Sequence, residues 1–148
     1  MVKMFKGIFF LSLLLPKIIN AETQGKSRTD RIIPVIHSSI TQQRISKNGL
    51  SAIFKMRLRQ WQDGSPISVF VLNDDHPDHN RFCKEILHVF PHQMRRAWNK
   101  LVFSGSGQAP ITLESKEAMI KKILNTPGAI GYLSTTDISD EIKPLEIE

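Results

Sequence analysis

Apolar residues along this chain recur at two spacings, near-continuous in short runs and every third or fourth position in longer ones. The alternation predicts strands interleaved with helices. Ile32-Ile33-Pro34-Val35-Ile36 reads as a first strand, with Pro34 placing it at a sheet edge or a strand start. Polar residues from Ser38 to Arg44 follow, and Ser46 or Asn48 caps a short helix whose Leu50, Ile53 and Phe54 share one face. Gln60-Trp61-Gln62-Asp63-Gly64-Ser65-Pro66 is a turn, because Asp-Gly and Pro stand close together. Ile67-Ser68-Val69-Phe70-Val71-Leu72 is the clearest strand, β-branched and nearly all apolar, as a strand covered on both faces should be.

Asp74 to Pro77 breaks that strand, and a helix is predicted over Asp78–Val89 with Phe82, Ile86 and Val89 inward. Phe90-Pro91 ends it, and a second helix carries Met94, Trp98 and Leu101. Ser115 caps a third, Lys116 to Asn125, with Met119, Ile120, Ile123 and Leu124 inward and Lys116, Lys121 and Lys122 outward. Thr126-Pro127-Gly128 stops it, and Ala129 to Leu133 returns as a strand in which Gly131 marks close packing against the backbone. The tail beyond Thr136, with Asp137, Asp140, Glu141, Glu146 and Glu148, reads as acidic and frayed. Strands alternating with helices give an α/β layered domain with a largely parallel sheet.

The first residues do not share this pattern. Lys3 and Lys6 precede the apolar run Gly7–Leu15, and Asn20-Ala21 stand before Glu22, which is the order of a secretory signal peptide over residues 1–21. The run falls well short of the ~20 residues of a membrane-spanning helix; an uncleaved anchor is the other reading. Residues 22–30 form a polar leader, 31–136 the domain and 137–148 the acidic tail.

Lys3, Lys6 and Lys17 supply half of the formal charge of +6, so the remainder carries +3. That is mildly basic, with no dense cationic stripe. Arg57 with Arg59, and Arg95 with Arg96, fit solvated faces rather than a surface that tracks nucleic-acid phosphates. Cys83 is the one cysteine, which excludes an intrachain disulfide, and its place beside Phe82, Ile86 and Leu87 makes it a core residue.

Asp74-Asp75-His76-Pro77-Asp78-His79 holds the residue types of a metal site, with Asp75, His76 and His79 as candidate ligands. The spacing matches no strong metal signature, and a solvated turn with Asp78 capping the next helix competes with it. Ser104-Gly105-Ser106-Gly107 can offer backbone donors to an anion, with Arg95, Arg96 and Lys100 close in sequence. Ser38 and Ser39 follow the first strand, at a position where α/β sheets place ligands. No nucleophile stands beside a base and no carboxylate pair is singled out, so no catalytic set emerges.

Three stretches carry a family likeness: Gly49-Leu50-Ser51-Ala52-Ile53-Phe54-Lys55 with Gln60-Trp61-Gln62-Asp63-Gly64; Arg81-Phe82, Trp98 and Phe103-Ser104-Gly105-Ser106-Gly107-Gln108-Ala109-Pro110; and Pro127-Gly128-Ala129-Ile130-Gly131-Tyr132. In this order they resemble the second lobe of the phosphate-binding periplasmic proteins of ABC importers. They are more similar still to short, single-lobe exported proteins described as phosphate-transporter substrate-binding-like. The resemblance implies an α/β, single periplasmic-binding-protein-like lobe, a mostly parallel sheet flanked by helices. It also implies an exported, non-catalytic protein without cofactor and with phosphate or another small anion as ligand. The ligand would meet the loops at Ser38, Ser39, Asn80, Arg81, Gly105, Ser106 and Gly107. A homodimer mate or envelope partner would supply the missing second wall. An interaction or sensory accessory module that keeps the fold without binding phosphate is the alternative.

Two departures stand out. The family holds its anion between two lobes, and the residues from 22 onward suffice for one. Its phosphate loop carries Ser-Gly-Thr, where this chain has Asn73-Asp74-Asp75-His76-Pro77-Asp78-His79-Asn80-Arg81. An anion about 4 Å from a carboxylate pays roughly 1 kcal/mol in water and about 4 kcal/mol at a surface-like dielectric. A helix N-terminus returns only about 1 kcal/mol.

Overall fold

The computed structural model describes residues 29–148, so the signal-peptide expectation and most of the leader lie outside the described residues. In chain order the elements are β1 (Ile32–Ile36), β2 (Arg44–Ile45), α1 (Lys47–Phe54), β3 (Ser68–Leu72) and α2 (Pro77–Arg81). A π-helical turn (Phe82–Ile86) leads to α3 (Pro91–Phe103), β4 (Ile111–Leu113), α4 (Lys116–Asn125), β5 (Ala129–Ser134), β6 (Lys143–Pro144) and β7 (Glu146–Ile147). The main sheet has the order β4-β3-β5-β1-β6, and β2 pairs with β7 in a small second sheet.

The sheet is mostly parallel in strand direction. β3 runs parallel to both β4 and β5, with Val69 opposite Ile130. β1 runs against β5, with Val35 opposite Gly131, and β6 runs against β1 and so points the same way as the rest. β1 is therefore an inner strand rather than an edge, although β6 covers only Val35 and Ile36 of it.

α1 starts where Ser46 accepts the amide of Gly49 at 3.1 Å, leaving Asn48 inside the helix. Its apolar face, Leu50, Ile53 and Phe54, is fully buried. Trp98 on α3 donates its indole N–H to the carbonyl of Phe54 at 2.8 Å, tying α3 to the end of α1 inside the core. α4 packs on β5 and β3 through Met119 and Ile123.

The helix predicted over Asp78–Val89 runs without a break from Pro77 to Ile86, its second half π-helical. α2 passes into the π-helical turn, which lets neighbouring Phe82 and Cys83 both face the core, and the chain then turns at His88 with φ of 53°. The cap of α2 is His76 rather than Asp78: the imidazole of His76 accepts the Asp78 amide at 3.1 Å. Cys83 is buried as expected, and burial pushes its thiol up to about 12.

The acidic tail is folded, not frayed. Ile142 and Leu145 are buried, Leu145 donates to the carbonyl of Pro34 at 3.0 Å, and Arg44 pairs with Glu146 at 3.0 Å. Asp140, Glu141, Glu146 and Glu148 face solvent, while Ile142 and Leu145 turn into the core.

Gly131 lies where α4 crosses β5, and a Cβ there would collide with Met119 Sδ. Gly131→Ala is expected to destabilise the domain by about 1 kcal/mol, the lower end of overpacking because a thioether yields. Urea unfolding checks this; a change below the error of the method would show that the sheet–helix approach is looser than described.

Candidate functional site

The C-terminal ends of β3, β4 and β5 lie along one edge of the sheet, together with the start of β1. Three sets of charged residues gather there. In the first, Arg81 donates from Nη1 to the carboxylate of Asp30 and from Nη2 to the Asp30 carbonyl, both at 3.0 Å. Its guanidinium also lies 3.5 Å from Glu85 and 3.8 Å from Asp78. The hydroxyl of Ser134 donates to the same Asp30 carboxylate and lies 2.7 Å from the hydroxyl of Thr136. Ser134 first and Arg81 second hold the Asp30 carboxyl below its ordinary range, against the opposing effect of partial burial. Thr135 accepts the Arg31 amide and donates to the Thr29 carbonyl, both at 3.2 Å, which stitches the leader to the end of β5.

In the second set, Arg95 grips both oxygens of Asp74 at 3.0 and 2.8 Å and lies over the ring of Trp98 at 5.0 Å. Arg95 holds Asp74 below the usual carboxylate range. Asn80 donates to the carbonyls of Asp74 at 3.0 Å and His76 at 3.3 Å and so closes the loop before α2. In the third, Lys116 donates to Asp137 at 2.7 Å.

Beneath this edge runs a buried polar chain. The hydroxyl of Tyr132 accepts the Leu72 amide at 2.8 Å, so its own hydrogen points to His79 Nδ1 at 2.6 Å. That fixes the tautomer: Nε2 carries the hydrogen and faces Asp74 at 3.6 Å and Cys83 Sγ at 3.6 Å. Burial lowers the affinity of His79 for a proton, and Asp74 only partly offsets it. The ring of Tyr132 stacks on Phe82 at 4.1 Å between centroids, and burial raises its hydroxyl well above the ordinary value.

The residues expected to line one anion site are divided between two edges. Asn80 and Arg81 lie at the edge just described. Ser38 and Ser39 lie at the opposite one, since the preceding His37 donates to the Ala129 carbonyl at the start of β5. The side chain of Ser39 hydrogen-bonds with His37 Nδ1 at 2.7 Å. Gly105, Ser106 and Gly107 also lie away from Arg81, against Arg59, Pro66 and Ile67 just before β3. Their amides are taken up in ending α3, on the carbonyls of Val102 and Leu101 at 3.1–3.2 Å. Asp75, His76 and His79 do not converge: Asp75 is exposed, His76 caps α2 and His79 is buried on Tyr132. Among the described residues no three His, Cys, Asp or Glu side chains could share a metal ion.

The sequence reading missed Asp30, Ser134 and Thr136. Ser134 and Thr136 had a signal, being hydroxyls at the end of an apolar strand where α/β sheets bind ligands. Asp30 had none, because its partner Ser134 is 104 positions away.

No protein-family model matches the chain, and no curated protein matches it. Solved structures do. A putative phosphate ABC transporter substrate-binding protein with bound phosphate from Clostridium perfringens superposes with a TM-score of 0.63 at 15% identity, over 80% of this chain and 45% of that one. An ABC-type phosphate transport receptor from Vibrio cholerae gives 0.60 at 14% identity, over 80% and 46%. PstS from Borrelia burgdorferi gives 0.57 at 14%, over 80% and 47%. The fold is thus the one found in phosphate ABC transporter substrate-binding proteins, and this chain spans less than half the length of each of those chains.

Proposed function

We propose that this protein is an exported, non-catalytic solute-binding domain of the phosphate-importer kind, whose strand-end edge takes a small oxyanion. The observation that carries this reading is that Arg81 and Ser134 together hold a carboxylate, that of Asp30. The site has the donors of an anion site, and its occupant comes from the chain's own leader. An external anion reaches the same donors by displacing Asp30, so its apparent affinity is reduced by the fraction of time the donors are free. Export is supported by the basic-then-apolar order of residues 1–21; among the described residues no helix is long and apolar enough to cross a membrane.

Isothermal titration with phosphate and sulfate tests the reading. Wild type is expected to bind weakly, and Asp30→Ala to bind about tenfold more tightly, the result if Asp30 is displaced about a tenth of the time. Asp30→Ala combined with Arg81→Ala should lose the gain.

A second reading follows from the ion pairs. Arg81, Arg95 and Lys116 each have a carboxylate partner at this edge, which suits a module that keeps the fold and contacts an envelope protein or a second copy of itself. Silence of both wild type and Asp30→Ala toward every anion would establish that reading over the first.

A further inference from the structure

We infer a second anion site, separate from the strand edge: the cleft between the loop after α1 and the C-terminal half of α3 binds a phosphate group. The cleft measures about 360 Å³ and is lined by Lys55, Arg57, Lys100, Leu101, Ser104 and Ser106, with no carboxylate in its wall. Among the described residues several cations lack a carboxylate partner, but Lys55, Arg57 and Lys100 are three of them that line one hollow together. Cations gathered around one hollow without a counter-charge repel one another, and an anion in the hollow relieves that repulsion.

The hollow is preformed. Arg59 donates to the carbonyls of Met56 and Ser106, both at 3.3 Å, and so fastens the Ser104–Gly107 loop to the loop after α1. Met56 stands between Lys55 and Arg57 at φ of 60°, a left-handed turn that a non-glycine residue adopts only when its surroundings impose it. The buried bond from Trp98 to Phe54 ties the two walls together from behind. Ser104 donates its hydroxyl to the Leu101 carbonyl at 3.2 Å, which leaves the hydroxyl hydrogen of Ser106 free to turn from Ser104 to a ligand.

Beside the cleft, α3 ends with Val102 at 49% and Phe103 at 86% exposure. Inorganic phosphate needs no such neighbour, whereas the phosphate of an anionic phospholipid brings an apolar tail that Phe103 would meet. The shared chemistry is a phosphate group held by two lysines, an arginine and a serine hydroxyl.

The full chain is titrated with inorganic phosphate and, separately, with soluble short-chain phosphatidylglycerol, following backbone amide resonances. Saturable shifts at Lys55–Arg59 and Ser104–Gly107 are expected. Lys55→Gln/Arg57→Gln/Lys100→Gln should lose about tenfold or more in affinity with unchanged thermal unfolding. Phe103→Ser should weaken only the lipid response, and an unchanged lipid response would assign the site to free phosphate. Absence of saturable shifts with both ligands, or an unaltered affinity in the triple variant, would overturn the proposal. Shifts confined to Arg81, Ser134 and Thr136 would also overturn it while leaving the strand-edge reading intact.

Discussion

Tyr132→Phe is expected to destabilise the domain by about 2–4 kcal/mol, although it deletes a single oxygen atom. The ring is kept, so the stack on Phe82 and the tilted contact with Phe54 survive. What is lost is the one group that satisfies two others: the Leu72 amide donates to the hydroxyl and His79 Nδ1 accepts from it. Each buried polar group left without a partner costs about 1–3 kcal/mol. Equilibrium urea unfolding measures the change. The double variant with His79→Leu removes the stranded acceptor as well and should recover part of the loss, the sign of a coupled pair. A loss below about 1 kcal/mol in Tyr132→Phe would mean that the Tyr132–His79 contact is not a working hydrogen bond.

Much of this architecture was legible because it rests on local pattern. The short apolar run at Val69–Leu72, bounded by turn signals, reads as a covered strand, and Met119, Ile120, Ile123 and Leu124 behind a serine cap read as a helix face. Ser46 and Ser115 both cap as residues of their type do, each accepting an amide three positions on at 3.1 Å. The reading failed where length or distance removed the signal. β2, β6 and β7 have two residues each, too few for a period, and exist because the tail returns to pair with them or through them. In the acidic tail composition hides the pattern: Ile142, Leu145 and Ile147 are the apolar positions of a returning edge. His76 is the cap in place of Asp78 because Pro77 fixes the first helical position and so puts the cap on the residue before it, two positions upstream of Asp78.

The candidate site was legible only in part, and for a topological reason. Chain order placed Ser38, Ser39 and the glycine loop after apolar elements, as strand-end reasoning requires. β1 runs opposite to its neighbour β5, so its end lies where β5 begins. A helix, α3, precedes the glycine loop, and its closing turn consumes the amides that the loop would otherwise present. Conversely, the strand edge collects Asp30 from before β1 and Ser134 from the end of β5, a pairing visible only once the strands are registered with Ile32 opposite Ser134. The molecule thereby acquires two unlike ends. One neutralises its cations internally, and the other leaves Lys55, Arg57 and Lys100 without carboxylates.

Acid should destabilise the folded domain well before its carboxylates titrate, and His79 is the reason. Its folded-state proton affinity is lowered by burial, while in the unfolded chain it returns to an ordinary value of about 6.5. Asp74 faces its Nε2 and favours the charged form; Arg95 and the neighbouring His76 oppose it; Cys83 and the Tyr132 hydroxyl are neutral. Below about pH 6.5 the unfolded state takes up a proton that the folded state refuses, so stability falls as pH falls, by at most about 1.4 kcal/mol per pH unit for one group. The decline continues until the lowered folded value is reached, and the full contribution is present above about pH 6.5. Asp30 and Asp74, both held below the ordinary carboxylate value, add a further loss in the same direction at lower pH, below about 4. Urea unfolding between pH 7.5 and 5 should therefore show a loss, at most about 2 kcal/mol, that flattens in His79→Gln, whose side chain does not titrate. An equal slope in the variant would mean that His79 is protonated in the folded state, with the Tyr132 hydroxyl reversed to accept from it and the Leu72 amide sharing the same oxygen.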